Sequence, residues 1–144
     1  MLEKAIRIAT EAHEGQTDKA GKEYILHPLR VMSNCKSNTE KICAVLHDAI
    51  EDTEITLNDL KNEGFSDEIL TVLDLLTKRP GENYDSFIGR VCSNESACRV
   101  KIADLKDNMD LSRLGQPTEE DLKRQDKYEK ALERINSVLY KTNG

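Results

Sequence analysis

Apolar residues recur at helical spacing along almost the whole chain, and no stretch alternates apolar and polar residues as a half-buried strand does. Leu2, Ala5, Ile6, Ala9 and Ala12 trace a first helix that fades near His13 and Gly15. Residues 16–23, with Gly21 and several charges, read as a loop. Pro28, favoured in a first helical turn, starts a short helix carrying Leu29, Val31 and Met32, and this puts His27 at the helix N-terminus, facing a cleft. Ser37 with Glu40 forms a capping-box pattern, and Thr56 with Asp59 opens another helix that Gly64 stops. Ile69, Leu70, Val72, Leu73 and Leu76 form the next apolar face. Pro80-Gly81 breaks the chain before Tyr84, Phe87, Ile88 and Val91 resume it. A helix from about Ser96 to Met109 follows. Thr118 with Asp121 opens the last helix, whose expected buried stripe is Leu122, Gln125, Tyr128, Leu132, Ile135 and Leu139. The expectation is an all-α fold in a single domain over residues 1–144, a length that buries one core and leaves no room for two domains of ordinary size.

Composition narrows the function classes. A net charge of −6 argues against nucleic acid as partner, because phosphate backbones need a basic face. It leaves a small phosphorylated substrate open, since a bound cation can supply local positive charge in an acidic protein. No run of apolar residues has the length of a membrane span, and Met1-Leu2-Glu3-Lys4 does not begin a signal peptide, so the cytoplasm is the expected compartment. The four cysteines contain no C-x-x-C pair and read as reduced, with Cys43 a small core residue.

One run departs from this plain helical picture. Leu46-His47-Asp48-Ala49-Ile50-Glu51-Asp52-Thr53 places four polar groups directly after the apolar Ile42-Cys43-Ala44-Val45-Leu46. Charged residues seldom go into such surroundings unless they are paired or hold a metal. His47 and Asp48 are adjacent, so one helix can offer an imidazole and a carboxylate to one ion, while Glu51 and Asp52 follow one turn on at i,i+4. His27 and Asp104 (the latter after Lys101 and the apolar Ile102-Ala103) complete two imidazoles and two carboxylates. That mix suits a first-row divalent metal with positions left for water, and Glu51 or Asp52 could take or return a proton. Taken singly the readings are plainer: His27 as a helix-end histidine, Asp104 as a buried acid paired with Lys101, Arg99 or Arg113, and Asn108 as a cap or a ligand contact. His13, at the end of the first helix, reads as structural, and Lys78-Arg79 as a solvated basic pair.

The segments Ala12-His13-Glu14-Gly15-Gln16, Tyr24-Ile25-Leu26-His27-Pro28, Leu46-His47-Asp48 with Glu51-Asp52-Thr53, and Lys101-Ile102-Ala103-Asp104 with Asn108-Met109 resemble the hydrolase domain of RelA/SpoT-type proteins. That domain belongs to the HD-domain metal-dependent phosphohydrolases, and the similarity runs from about Leu2 to Leu114. The resemblance implies an HD-type helical bundle without the nucleotide-synthetase domain of larger relatives. It also implies a manganese ion held by His27, His47, Asp48 and Asp104. Glu51 and Asp52 would activate water to remove pyrophosphate from the 3′ position of guanosine tetra- or pentaphosphate, with Asn108 touching the nucleotide and Lys19 a phosphate. Three segments differ from the usual family pattern: Asp18 stands for an Arg beside the base, Glu23 for a Pro, and Leu105-Lys106-Asp107-Asn108 for Arg-Leu-His-Asn. An altered substrate pocket is therefore expected. The alternatives are the same chemistry on another nucleotide or phosphorylated metabolite, such as NADPH, or a module that senses a nucleotide without turning it over.

Overall fold

The computed structural model describes the backbone of residues 1–143 and side chains through Tyr140; Gly144 lies outside the described residues. The fold is all-α, with helices α1 (Leu2–Ala12), α2 (Leu26–Ser33), α3 (Asn38–Asp52), α4 (Leu57–Asn62), α5 (Asp67–Leu76), α6 (Tyr84–Val91), α7 (Glu95–Asn108) and α8 (Glu119–Asn143). A 3-10 turn spans Leu111–Arg113 between the last two. Among the described residues there is no strand; the loop after α1 holds one isolated antiparallel bridge, Thr17 to Glu23. No described helix is long and apolar enough to cross a membrane.

The helix starts follow local chemistry. Thr56 Oγ1 accepts from Asp59 N (3.1 Å) while Asp59 Oδ2 accepts from Thr56 N (3.0 Å), a reciprocal capping box. Thr118 and Asp121 exchange the same two bonds. At Ser37 the expected box is only half formed: Ser37 Oγ accepts from Glu40 N, but the Glu40 carboxylate accepts from the Ser37 hydroxyl instead of the backbone. Ser66, Asn83 and Asn94 cap α5, α6 and α7. Gly64, at φ +95°, turns the chain after α4 through a conformation that side chains with a Cβ rarely adopt.

The centre of the molecule is α3, which packs against α1, α2, α5 and α7. Its residues 42–49 are all buried, so the helix is apolar on every side until His47 and Asp48 interrupt it. Ala5 and Ala9 are the buried residues of α1, and their small side chains let that helix lie close to α3. In turn, α7 packs on α2, α3, α5 and α6, and α8 lies across α6 and α7. Cys35, Cys43 and Cys98 are buried free thiols, with Cys92 half-buried.

The stripe of α8 needs one correction. Leu122 is 56% exposed, and Asp121 is buried in its place, ahead of Ala131, Ile135 and Leu139. At about 100° per residue, Asp121 falls on the line through Tyr128, Leu132, Ile135 and Leu139, and Leu122 falls a quarter-turn away. Asp121 tolerates burial because it accepts from Thr118 N and pairs with Lys19 (3.0 Å) and Arg124 (2.8 Å).

Candidate metal centre

Three helices bring four side chains to one point: His27 from α2, His47 and Asp48 from α3, and Asp104 from α7. One potential ligand atom from each lies within 4.8 Å of all the others, and all four residues are buried. His27 Nε2 is 2.9 Å from Asp104 Oδ1 and 3.4 Å from Asp48 Oδ2. His47 Nε2 is 3.1 Å from Asp48 Oδ1 and 3.4 Å from Asp104 Oδ1.

The expected position of His27 changes. Because α2 begins at Leu26, His27 lies inside the first turn and is buried, with only an edge on the cleft. The cause is α7, which covers the ring with Asp104 and Asp107, while Tyr24 packs beside it at 5.9 Å between ring centroids.

His47 has its tautomer fixed from behind. Its Nδ1 donates to the Ala44 carbonyl (2.8 Å), and a carbonyl can only accept. In the neutral ring that leaves Nε2 as the acceptor nitrogen, buried and aimed at two carboxylates. A buried imidazole nitrogen facing carboxylates is an uncomfortable arrangement for a plain core and a suitable one for a divalent cation. Two imidazoles and two carboxylates are also ligands that such cations accept. The residues present therefore fit a divalent metal.

Supporting groups ring the cluster. Tyr24 Oη donates to Asp48 Oδ2 (3.0 Å). Lys101, half-buried, donates to Asp104 Oδ2 (2.9 Å) and is the cation that pairs with it; Arg99 pairs instead with Glu95, and Arg113 with Asp110. Asn108 Nδ2 reaches Asp104 Oδ1 at 3.4 Å. His13 stays outside the cluster: its Nδ1 lies 2.9 Å from Gln16 Oε1, and its ring packs on Tyr24 at 5.0 Å.

Electrostatics follow from this geometry. Burial disfavours charge on His27, but hydrogen bonds to Asp104 and Asp107 outweigh it and lift the imidazole to about 10. Burial is likewise outweighed at His47 by the charge of Asp48 and by Asp104, giving about 9. Asp104, despite burial, is held well below the carboxylate range by Lys101 and the two histidines. Protons and a cation thus compete for the same imidazoles.

Glu51 and Asp52 sit exposed at the end of α3. Glu51 is turned so that Oε1 accepts from the backbone N–H of Lys78 (2.7 Å). Partial desolvation raises the carboxyl of Glu51, and desolvation with the nearby charge of Asp48 raises that of Asp52. The Arg79 side chain pairs with Asp74 (3.1 Å).

A cleft of about 230 Å³ opens beside the cluster, with His27 and Asn108 on its inner wall. The 18–20 loop, Tyr24 and Arg30 line it together with Arg113, Asp121, Arg124 and Tyr128. Lys19 lines it with its ammonium bound to Asp121. Asp18 serves its own loop, where its Oδ1 accepts from Ala20 N and Lys22 N, both at 2.9 Å, and closes the turn. Arg30 and Arg124 are not apparent from the sequence because they belong to no recognised motif, and Asp107 enters there only as a departure from the usual His. The only signal there is spacing, Arg30 three residues after His27 and Asp107 three after Asp104.

No protein-family model matches the chain. It is 34% identical over 122 residues to the bifunctional (p)ppGpp synthase/hydrolase SpoT of Escherichia coli K12, covering 75% of this chain and 17% of that protein. It is 30% identical over 120 residues to a guanosine-3′,5′-bis(diphosphate) 3′-pyrophosphohydrolase of Aquifex aeolicus, with the same 75% and 17% shares. The chain thus spans about a sixth of the length of these curated relatives. A solved structure described as a metazoan orthologue of SpoT that hydrolyses ppGpp superposes with a TM-score of 0.75 over 96% of this chain and 84% of that one, at 19% identity, which speaks for the fold. In sequence over three quarters of its length, and in the arrangement of its helices, the chain is similar to the hydrolase region of these SpoT-type proteins.

Proposed function

We propose that this domain, over residues 1–144, is a divalent-metal-dependent phosphohydrolase, with manganese its working ion and guanosine 3′,5′-bis(diphosphate) its substrate, from which it removes the 3′ pyrophosphate. The observation that carries the reading is the buried convergence of four ligand atoms within 4.8 Å beside a cleft lined by Lys19, Arg30, Arg113 and Arg124 together with their paired aspartates. His27, His47, Asp48 and Asp104 would hold the ion. When bound, it would supply Lewis acidity toward water and a phosphate oxygen.

The chain's own groups do the rest. Glu51 and Asp52, with carboxyls raised toward neutrality, are suited to accept a proton from water and return one to the leaving oxygen. Asn108, at the boundary between cluster and cleft, has an amide that can turn from Asp104 to a substrate oxygen. Lys19 can exchange Asp121 for a phosphate at the cleft rim. Tyr24 and Lys101 hold Asp48 and Asp104 in place.

The test is a substrate panel on the purified, manganese-loaded protein, with phosphate and pyrophosphate release measured separately. Pyrophosphate released from guanosine tetraphosphate is the expected result. Because Asp18 closes the loop where relatives carry Arg, a second reading is the same chemistry on another small nucleotide, NADPH included. Phosphate release from such a substrate alone would select it. Tight nucleotide binding with no turnover of any compound, metal bound, would make the domain a sensor and overturn the enzymatic reading.

A further inference from the structure

On α7, Asp104 and Asp107 stand three residues apart on one face; on α2, His27 and Arg30 do the same. The two pairs meet across the helix interface. His27 Nε2 points to Asp104 in the cluster, and His27 Nδ1 donates to Asp107 Oδ2 at 2.6 Å. Asp107 is not one of the four converging groups. Its carboxylate is held in turn by Arg30, with Nε on Oδ1 (2.8 Å) and Nη2 on Oδ2 (3.1 Å). Arg113 adds a bond to the Asp107 carbonyl (2.9 Å) and lies 3.4 Å from Oδ1. A two-point guanidinium contact fixes the plane of a carboxylate as well as its position.

We propose that Asp107 is the positioning residue of His27, a clamped carboxylate behind the imidazole that keeps the proton on Nδ1 and turns Nε2 toward the metal position. It does for His27 what the Ala44 carbonyl does for His47, with a full negative charge that makes the ligating nitrogen a stronger donor. The inference rests on the proposed metal site.

The test is manganese titration by calorimetry on chelator-stripped, folded protein. Asp107→Asn keeps shape and loses charge, Asp107→Ala loses both, and His47→Ala serves as the control. Metal affinity, corrected for the protons that the ion displaces, should fall by roughly 10- to 100-fold in Asp107→Asn, the scale for partners behind a ligating imidazole. If Asp107→Ala does not fold, the near-isosteric Asp107→Asn decides alone. The double variant Arg30→Gln, Asp107→Asn removes the guanidinium that the single change leaves unpaired, and the loss of affinity should persist in it. Recovery to the wild-type value would assign the loss to the stranded cation and overturn the proposal, as would unchanged affinity in Asp107→Asn when His47→Ala has lost the metal. Wild-type affinity in His47→Ala would instead show that the ion binds elsewhere, and both readings would fall together.

Discussion

Binding of a divalent ion should expel protons, and the number can be worked from the geometry. His27 and His47 are held near 10 and 9, so at neutral pH each is protonated in almost every molecule. An imidazole must be deprotonated to ligate, so occupancy of the cluster by Mn2+ at pH 7 should release about two protons per ion. The apparent association constant should then rise by about two powers of ten per pH unit from pH 7 toward 9, and level off as the imidazoles lose their protons unaided. Calorimetric titration at pH 7 in buffers of different ionisation enthalpy measures the proton count directly, as the slope of observed heat against buffer enthalpy. Lower pH weakens binding and higher pH strengthens it. A slope near zero would refute the reasoning: either the histidines do not ligate, or the carboxylates around them do not hold their protons.

Three further outcomes are expected. In chelator, where only protons sit among the carboxylates, folding stability should fall as pH rises from about 6.5 and go on falling through about 9 and 10, by up to about 1.4 kcal/mol per unit for each imidazole, because the folded state binds the protons more tightly. Denaturant melts at pH 7 and 9 check this, and equal or greater stability at pH 9 contradicts it. Glu51→Gln and Asp52→Asn should lower turnover by roughly a hundredfold or more with manganese content unchanged by elemental analysis, and full turnover in both would reduce the acids to a solvated helix end. Asp18→Arg should raise KM on any nucleotide turned over by loosening the 18–22 turn, and Asp18→Asn, which keeps an accepting oxygen, should leave KM within about twofold; a lower KM for Asp18→Arg would show that a cation at this position matters more than the turn.

The fold is legible where local chemistry governs it. Thr56 with Asp59 and Thr118 with Asp121 form the boxes their spacing announces, and Gly64 follows the end of a helix as its place in the sequence predicts. Leu122 misleads when hydrophobicity is weighed above phase: an aspartate one residue earlier takes the buried line once Lys19 and Arg124 satisfy it. The cluster of His27, His47, Asp48 and Asp104 can be anticipated because each member is a rare polar intrusion in an apolar run. Asp107 and Arg30 cannot, since 77 positions separate them and each alone looks like an ordinary charged helix residue. Lys19 shows the same limit: its partner Asp121 lies 102 residues away, and nothing local marks the pair.

The four converging groups do not stand on equal footing. Two ride on α3, buried from Ile42 through Ala49, and one on α7, which packs against five other helices. The fourth, His27, rides on an eight-residue helix whose first residue, Leu26, is 39% exposed and whose approach is a charged loop. Backbone amides of α3 should be among the last in the molecule to exchange with deuterated solvent, and those at the start of α2 among the earliest near the cluster. Disassembly of the centre should accordingly be ordered, with the α2 side opening while the other three groups stay in place.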